Sequence, residues 1–148
     1  MNRWLTVTPF MAVPVFLYFL IALFSSGSDA AGIPNMLSRL DAAIFNMPMI
    51  SGIKWQFRLG DLLMLIGLIM LSIEIVKSTS SKSTAIANHA TSIGIMVVSL
   101  ILFLAVGSFS TSVFFFLTMM CVLDVLAGVM VSIVAARRDF GVGDGFAG

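Results

Sequence analysis

The chain has 148 residues, 59% of them hydrophobic and 10% charged, with a net charge of +1 and a mean hydropathy of +1.11. Soluble domains carry about 25% charged residues, so a chain this apolar cannot clothe its own surface, and the lipid bilayer is expected as its main partner. The charge balance excludes a phosphate-neutralising basic face and hence nucleic acid. One cysteine, Cys121, excludes an internal disulfide, one histidine, His89, excludes bis-histidine haem ligation within a chain, and no His/Cys cluster points to a metal or other cofactor.

The first apolar segment runs from Trp4 to Phe24 and predicts a span over 4–25. Pro14 removes a backbone donor there and predicts a kink. Trp4 is expected to anchor this span at the inner interface. Arg3, the apolar stretch and Ser28-Asp29-Ala30 also fit a signal peptide, although the stretch is long and an aspartate beside the cut is unusual. With or without cleavage, the segment that follows lies outside.

Residues 26–59 form the extracytoplasmic loop. Ile33, Met36, Leu37, Leu40, Ile44 and Met47 fall at helical spacing, with Pro34 near the start. The pattern predicts a short amphipathic interfacial helix, lying on the membrane or capping the bundle. After Pro48, alternation around Gly52 predicts a small hairpin or an extended segment. Trp55 and Phe57 are its expected interface anchors, and the same surface suits docking to another envelope protein.

The second span is expected over 60–77. Only Leu62 to Ile73 separate Asp61 from Glu74, about 18 Å of helix against a hydrocarbon core of about 30 Å. One carboxylate must therefore dip into the membrane. Asp61 sits at the helix start, where the dipole favours negative charge, so Glu74 is the submerged one, with Lys77 as its neighbour at i+3. Gly60, Gly67 and Glu74 share one face. The Ser/Thr-rich inner loop follows, with Lys82 and with His89, which is expected to be a solvated or helix-end residue, the alternative being a pH-sensing or ligand role.

The third span is expected over 91–109 and the fourth over 112–136, closed by Arg137 and Arg138. Residues 141–148, rich in glycine, are expected to be a flexible tail. Asp124 lies in the middle of the fourth span, where an ionisable group costs roughly 2.5–3.5 kcal/mol on insertion scales. It therefore needs a partner, a proton or a purpose. A fold-back centred on Ser110–Ser112 puts Ser99 at the level of Asp124. Gly94, Ser99 and Ala105 on the third span, with Cys121, Gly128 and Ser132 on the fourth, suit close helix contact. Tyr18 is expected to line the same polar interior. Glu74 lies thirteen residues after Asp61, and Asp124 thirteen after Thr111. If those starting points are level, the carboxylates share a depth, whereas aligning Lys77 with Arg137 separates them by several turns.

These elements predict an all-α membrane protein, a four-helix transmembrane bundle. Arg3, Lys77, Lys82, Arg137 and Arg138 on one side, against Arg39, Lys54 and Arg58 on the other, put both termini in the cytoplasm of a bacterial cell with the chain in the inner membrane. Two functions follow. One is a structural, accessory or assembly component of a membrane complex, joined to itself or to other membrane proteins through small-residue helix faces. The other is a small oligomeric proton or cation transporter or channel using Asp124, alone or with Glu74. No enzyme is expected, because intramembrane aspartyl chemistry requires two aspartates and Asp124 is the only one mid-span. No small-molecule substrate can be read from the residues.

Overall fold

The computed structural model describes residues 8–25, 27–28, 34–80 and 85–141, with side chains left out at 79–80, 85–86 and 135–141. In chain order it contains α1 (Ala12–Phe24), α2 (Asn35–Leu40), a hairpin of β1 (Ala43–Pro48) and β2 (Lys54–Arg58), α3 (Leu59–Ser80), α4 (Ala85–Ala105), a single 3₁₀ turn (Gly107–Phe109) and α5 (Ser112–Gly141). Three stretches, Leu59–Ser78, Ala87–Ala105 and Ser112–Val134, are long and apolar enough to cross a bilayer. They mark the chain as a membrane protein.

The first expected span, over 4–25, differs. Its described part, α1, has 13 residues, about 20 Å of helix and shorter than a hydrocarbon core. Trp4 and the rest of residues 4–7 lie outside the described residues, as do Asp29, Ala30 and residues 142–148 of the expected tail. Pro14 produces no mid-helix kink. It stands in the first turn of α1, where the missing N–H has no intrahelical acceptor to lose.

α5 lies between α3 and α4, its most extensive neighbours, and α1 packs chiefly on α3 with smaller contacts to α5 and α4. α3 and α5 run parallel, and glycines set their register. A Cβ on Gly60 would fall 2.9 Å from Val113 Cγ2, and one on Gly67 would fall 2.7 Å from Leu117 Cδ2. One turn further along, Leu71 packs with Met11 and Cys121.

At the hairpin end the core is aromatic. Tyr18 meets Phe114 at 4.7 Å and Phe109 at 5.4 Å between ring centroids, within a cluster that also holds Met36, Leu40, Leu63 and Leu117. Met36 and Leu40 are the buried face of α2, so this short helix caps the bundle. The expected amphipathic helix ends at Leu40. Ile44 and Met47 belong instead to β1, where Phe45 and Met47 alternate on one face, Ile44 stands at the irregularity between Ala43 and Phe45, and the β2 partner supplies backbone hydrogen bonds that a continued helix would forgo.

The hairpin turns through Gly52 at φ +82°, a value side chains disfavour, with Met49 N–H donating to Ile53 O and Gly52 N–H to Met49 O, each at 2.9 Å. Arg58 N–H donates to Asp61 Oδ2 at 2.9 Å, which fixes the passage from β2 into α3. Asp61 thus stays at the helix start. Of the small residues expected at helix contacts, Cys121, Gly128 and Ser99 face the interior, whereas Gly94, Ala105 and Ser132 face outward.

Candidate functional site

The polar groups of the interior collect where α3, α4 and α5 meet the N-terminal segment leading into α1. Glu74, on α3, is 1% exposed. Its Oε2 accepts the Phe10 N–H at 2.8 Å. Its Oε1 accepts Asn88 Nδ2 at 2.6 Å and Lys77 Nζ at 3.3 Å. Lys77 Nζ also donates to Thr8 O at 2.9 Å and Asn88 Oδ1 at 3.0 Å, and stands 4.6 Å from the centroid of the Phe10 ring.

This cluster has a clear physical effect. A buried carboxylate needs several donors or a paired cation, and Glu74 has both. The backbone N–H of Phe10 lies just before α1, among the groups that helix cannot satisfy itself. Glu74 and Lys77 therefore bind both a donor and an acceptor of the N-terminal segment and hold α1 against α3.

Asp124 sits beside this cluster. The α3–α5 register that brings Leu71 to Cys121 brings Glu74 to the level of Asp124, the alignment in which Asp61 and Thr111 are level. Asp124 is within electrostatic reach of Glu74, His89 and Lys77, and Ser92 faces its carboxylate. It is 6% exposed, and its Oδ2 has no hydrogen-bond partner among the described residues. His89 packs over Gly128, one turn from Asp124, where an added Cβ would fall 2.6 Å from the ring Nδ1.

Ser99 does not stand opposite Asp124. It is fully buried beside the Cys121 thiol, with no hydrogen-bond partner for its Oγ among the described residues. Ser92, two turns earlier on the same face of α4, takes the expected place. The fold-back is not centred on Ser110–Ser112, because α4 already ends at Ala105 and the 3₁₀ turn Gly107–Phe109 fills the connection.

Tyr18 is likewise remote from Asp124. Its hydroxyl lies 2.6 Å from Thr111 Oγ1 and donates to Ser108 O at 3.0 Å, tying α1 to the α4–α5 connection at the hairpin end. Trp55 and Phe57 lie on β2, Trp55 exposed and Phe57 stacked on Phe45 at 4.9 Å. Among the described residues no group of three or more His, Cys, Asp or Glu is placed to hold a metal ion.

Asn88 and Ser92 are site residues not expected from the sequence, and His89 is expected from it chiefly as a solvated or helix-end residue. A signal for them exists: Asn88, Ser92 and Ser99 recur at helical spacing on one face of α4. The chain matches no protein-family model, and no curated protein or solved structure is significantly similar to it.

Proposed function

We propose that the protein is a structural or accessory component of a membrane complex, with its outer hairpin as the element that meets the partner. The observation that supports this reading is the two-faced surface of the hairpin. Phe45 pairs with Phe57 and Met47 with Trp55 across the strands, so these four side chains share one face. Asn46, Gln56 and Lys54 share the other. Every residue of β1 is exposed, and so are Met49, Ile50 and Ile53 around the turn.

A two-stranded hairpin is marginally stable in water on its own. An aromatic face held outside the bundle, beyond the spanning stretches, therefore calls for a cover. Aromatic residues and methionine are enriched in protein interfaces, which favours a second membrane protein as that cover. The positive residues Lys77, Lys82, Arg137 and Arg138 support placing the opposite end of the bundle in the cytoplasm of a bacterial inner membrane, with the hairpin outside. No catalytic step belongs to this reading.

Purification from native membranes in mild detergent tests it. The wild type should carry a partner in fixed stoichiometry. Phe45→Ser with Trp55→Ser should release that partner while melting at the same temperature. A wild type that runs alone, both in mild detergent and in native lipid discs, contradicts the proposal.

A further inference from the structure

Two buried side-chain polar atoms lack a partner among the described residues, Asp124 Oδ2 and Ser99 Oγ, and both belong to the α4–α5 contact. An unpartnered neutral hydroxyl is a modest cost, but an unpartnered carboxylate oxygen costs more, because its charge is also stripped of water.

Charge counting sharpens the point. Glu74 and Lys77 neutralise each other at 3.3 Å. An ionised Asp124 carries a negative charge that no ion pair among the described residues balances. The titratable groups facing it are Glu74 and Lys77 from α3, His89 from α4, and Cys121 one turn away on its own helix. The N-terminal segment contributes backbone groups of Thr8 and Phe10 to the Lys77 and Glu74 side of the cluster.

The polar groups around Asp124 are arranged along the helix axis. His89 and Ser92 are neighbours at i+3 on α4, and Gly128 lets the His89 ring lie against α5 one turn from Asp124. His89 is only half-buried, so it stands at the edge of the interior. On the other side of Asp124 the column closes. Phe114 and Leu117 are fully buried, the Thr118 hydroxyl donates to Phe114 O at 2.9 Å, and Tyr18 is bound to Thr111.

We infer that Asp124 is a proton-loading site reached from one side only, through His89 and Ser92. In the loading step one ring nitrogen of His89 takes up a proton from water at the rim as the other gives one up, the Ser92 hydroxyl accepts that proton while releasing its own, and an O–H bond forms at the Asp124 carboxylate oxygen that Ser92 faces. A neutral carboxylic acid results, and His89 and Ser92 each end with the number of protons they began with. The step removes the unbalanced charge without moving the Glu74–Lys77 pair. It goes beyond the accessory role and does not depend on it.

Infrared difference spectroscopy on the lipid-reconstituted protein tests this site. The wild type should show a carboxylic-acid C=O band that titrates with pH. The band should vanish in Asp124→Asn and persist in Glu74→Gln. His89→Gln should keep the band but slow its deuteration in heavy water by about 10²-fold, the low end for a positioned proton-transfer group. No titrating band, or one that survives Asp124→Asn and is lost in Glu74→Gln, overturns the inference. Loss of the band on adding Na⁺ at fixed pH also overturns it, in favour of a metal-cation site. Unchanged deuteration in His89→Gln overturns the proposed route. Should Asp124→Asn fail to insert, carbodiimide labelling of the wild type decides: modification of Asp124 supports the site, and modification of Glu74 or of neither contradicts it.

Discussion

Glu74 and Asp124 occupy one level of one bundle, and both are nearly sealed from solvent. Around Glu74 an ammonium, an amide and a backbone N–H converge on the two carboxylate oxygens. Around Asp124 one oxygen meets no donor among the described residues, and the basic side chain within electrostatic reach outside the Glu74 pair is His89, at the edge of the interior. Equal burial thus conceals different roles. A buried acid with its donors complete acts as a fastener, and one left incomplete has capacity for something absent from the protein fold itself.

The contrast makes its largest prediction for stability. Lys77→Met keeps the aliphatic stem but leaves Glu74 with an uncompensated buried charge. It should destabilise the bundle by about 3 kcal/mol, the lower end for breaking a buried pair because Lys77 is partly exposed. Asp124→Asn removes no existing bond to Oδ2 and should shift stability by less than about 1 kcal/mol. Thermal unfolding in detergent, followed by helical circular dichroism, compares the two. Equal losses would break the distinction between fastener and incomplete site.

Helix approach sharpens the comparison at the next level, because the shared depth of the two carboxylates depends on α3 and α5 lying close. Gly67→Ile should cost about 1–3 kcal/mol through overpacking against Leu117 and Met120. Gly94→Ile, with nothing within 4 Å of the added Cβ, should stay within about 0.5 kcal/mol of wild type. The same unfolding assay reads both. Tyr18→Phe is the smallest of the interior losses. It deletes the hydroxyl shared with Thr111 and Ser108 and should cost about 1 kcal/mol, with no change in any signal from Asp124, since it acts at the other end of the bundle.

Much of this arrangement is legible in the residues. The apolar runs of α3, α4 and α5, the end position of Asp61, the depth of Glu74 and the turn at Gly52 all follow from spacing and elementary energetics. Gly60 and Gly67 mark a face made for close approach, but spacing along one helix does not say which helix fills it. Two parallel registers fit the loops equally well, and packing against Val113, Leu117 and Met120 selects one. The helix expected through Ile44 and Met47 stops at Leu40 because Phe45 and Met47 alternate opposite Phe57 and Trp55, a period of two that the helical reading passed over. Asn88 is hidden, and His89 reads as a loop residue, because the Ser/Thr-rich stretch before them masks the start of α4. The donors that complete Glu74 include a backbone N–H, and side-chain chemistry does not encode where such a group will stand.

The account rests on the α3–α5 register, and the single native thiol offers a direct test of it. In Leu71→Cys, oxidation by copper phenanthroline within native membranes should join the new cysteine to Cys121, because the two positions pack in one small cluster. Ser72→Cys, on the exposed face of α3, should remain unlinked. The register that levels Lys77 with Arg137 would instead bring Cys121 near Asp61. A disulfide formed by Asp61→Cys and not by Leu71→Cys would therefore separate Glu74 from Asp124 and contradict the account.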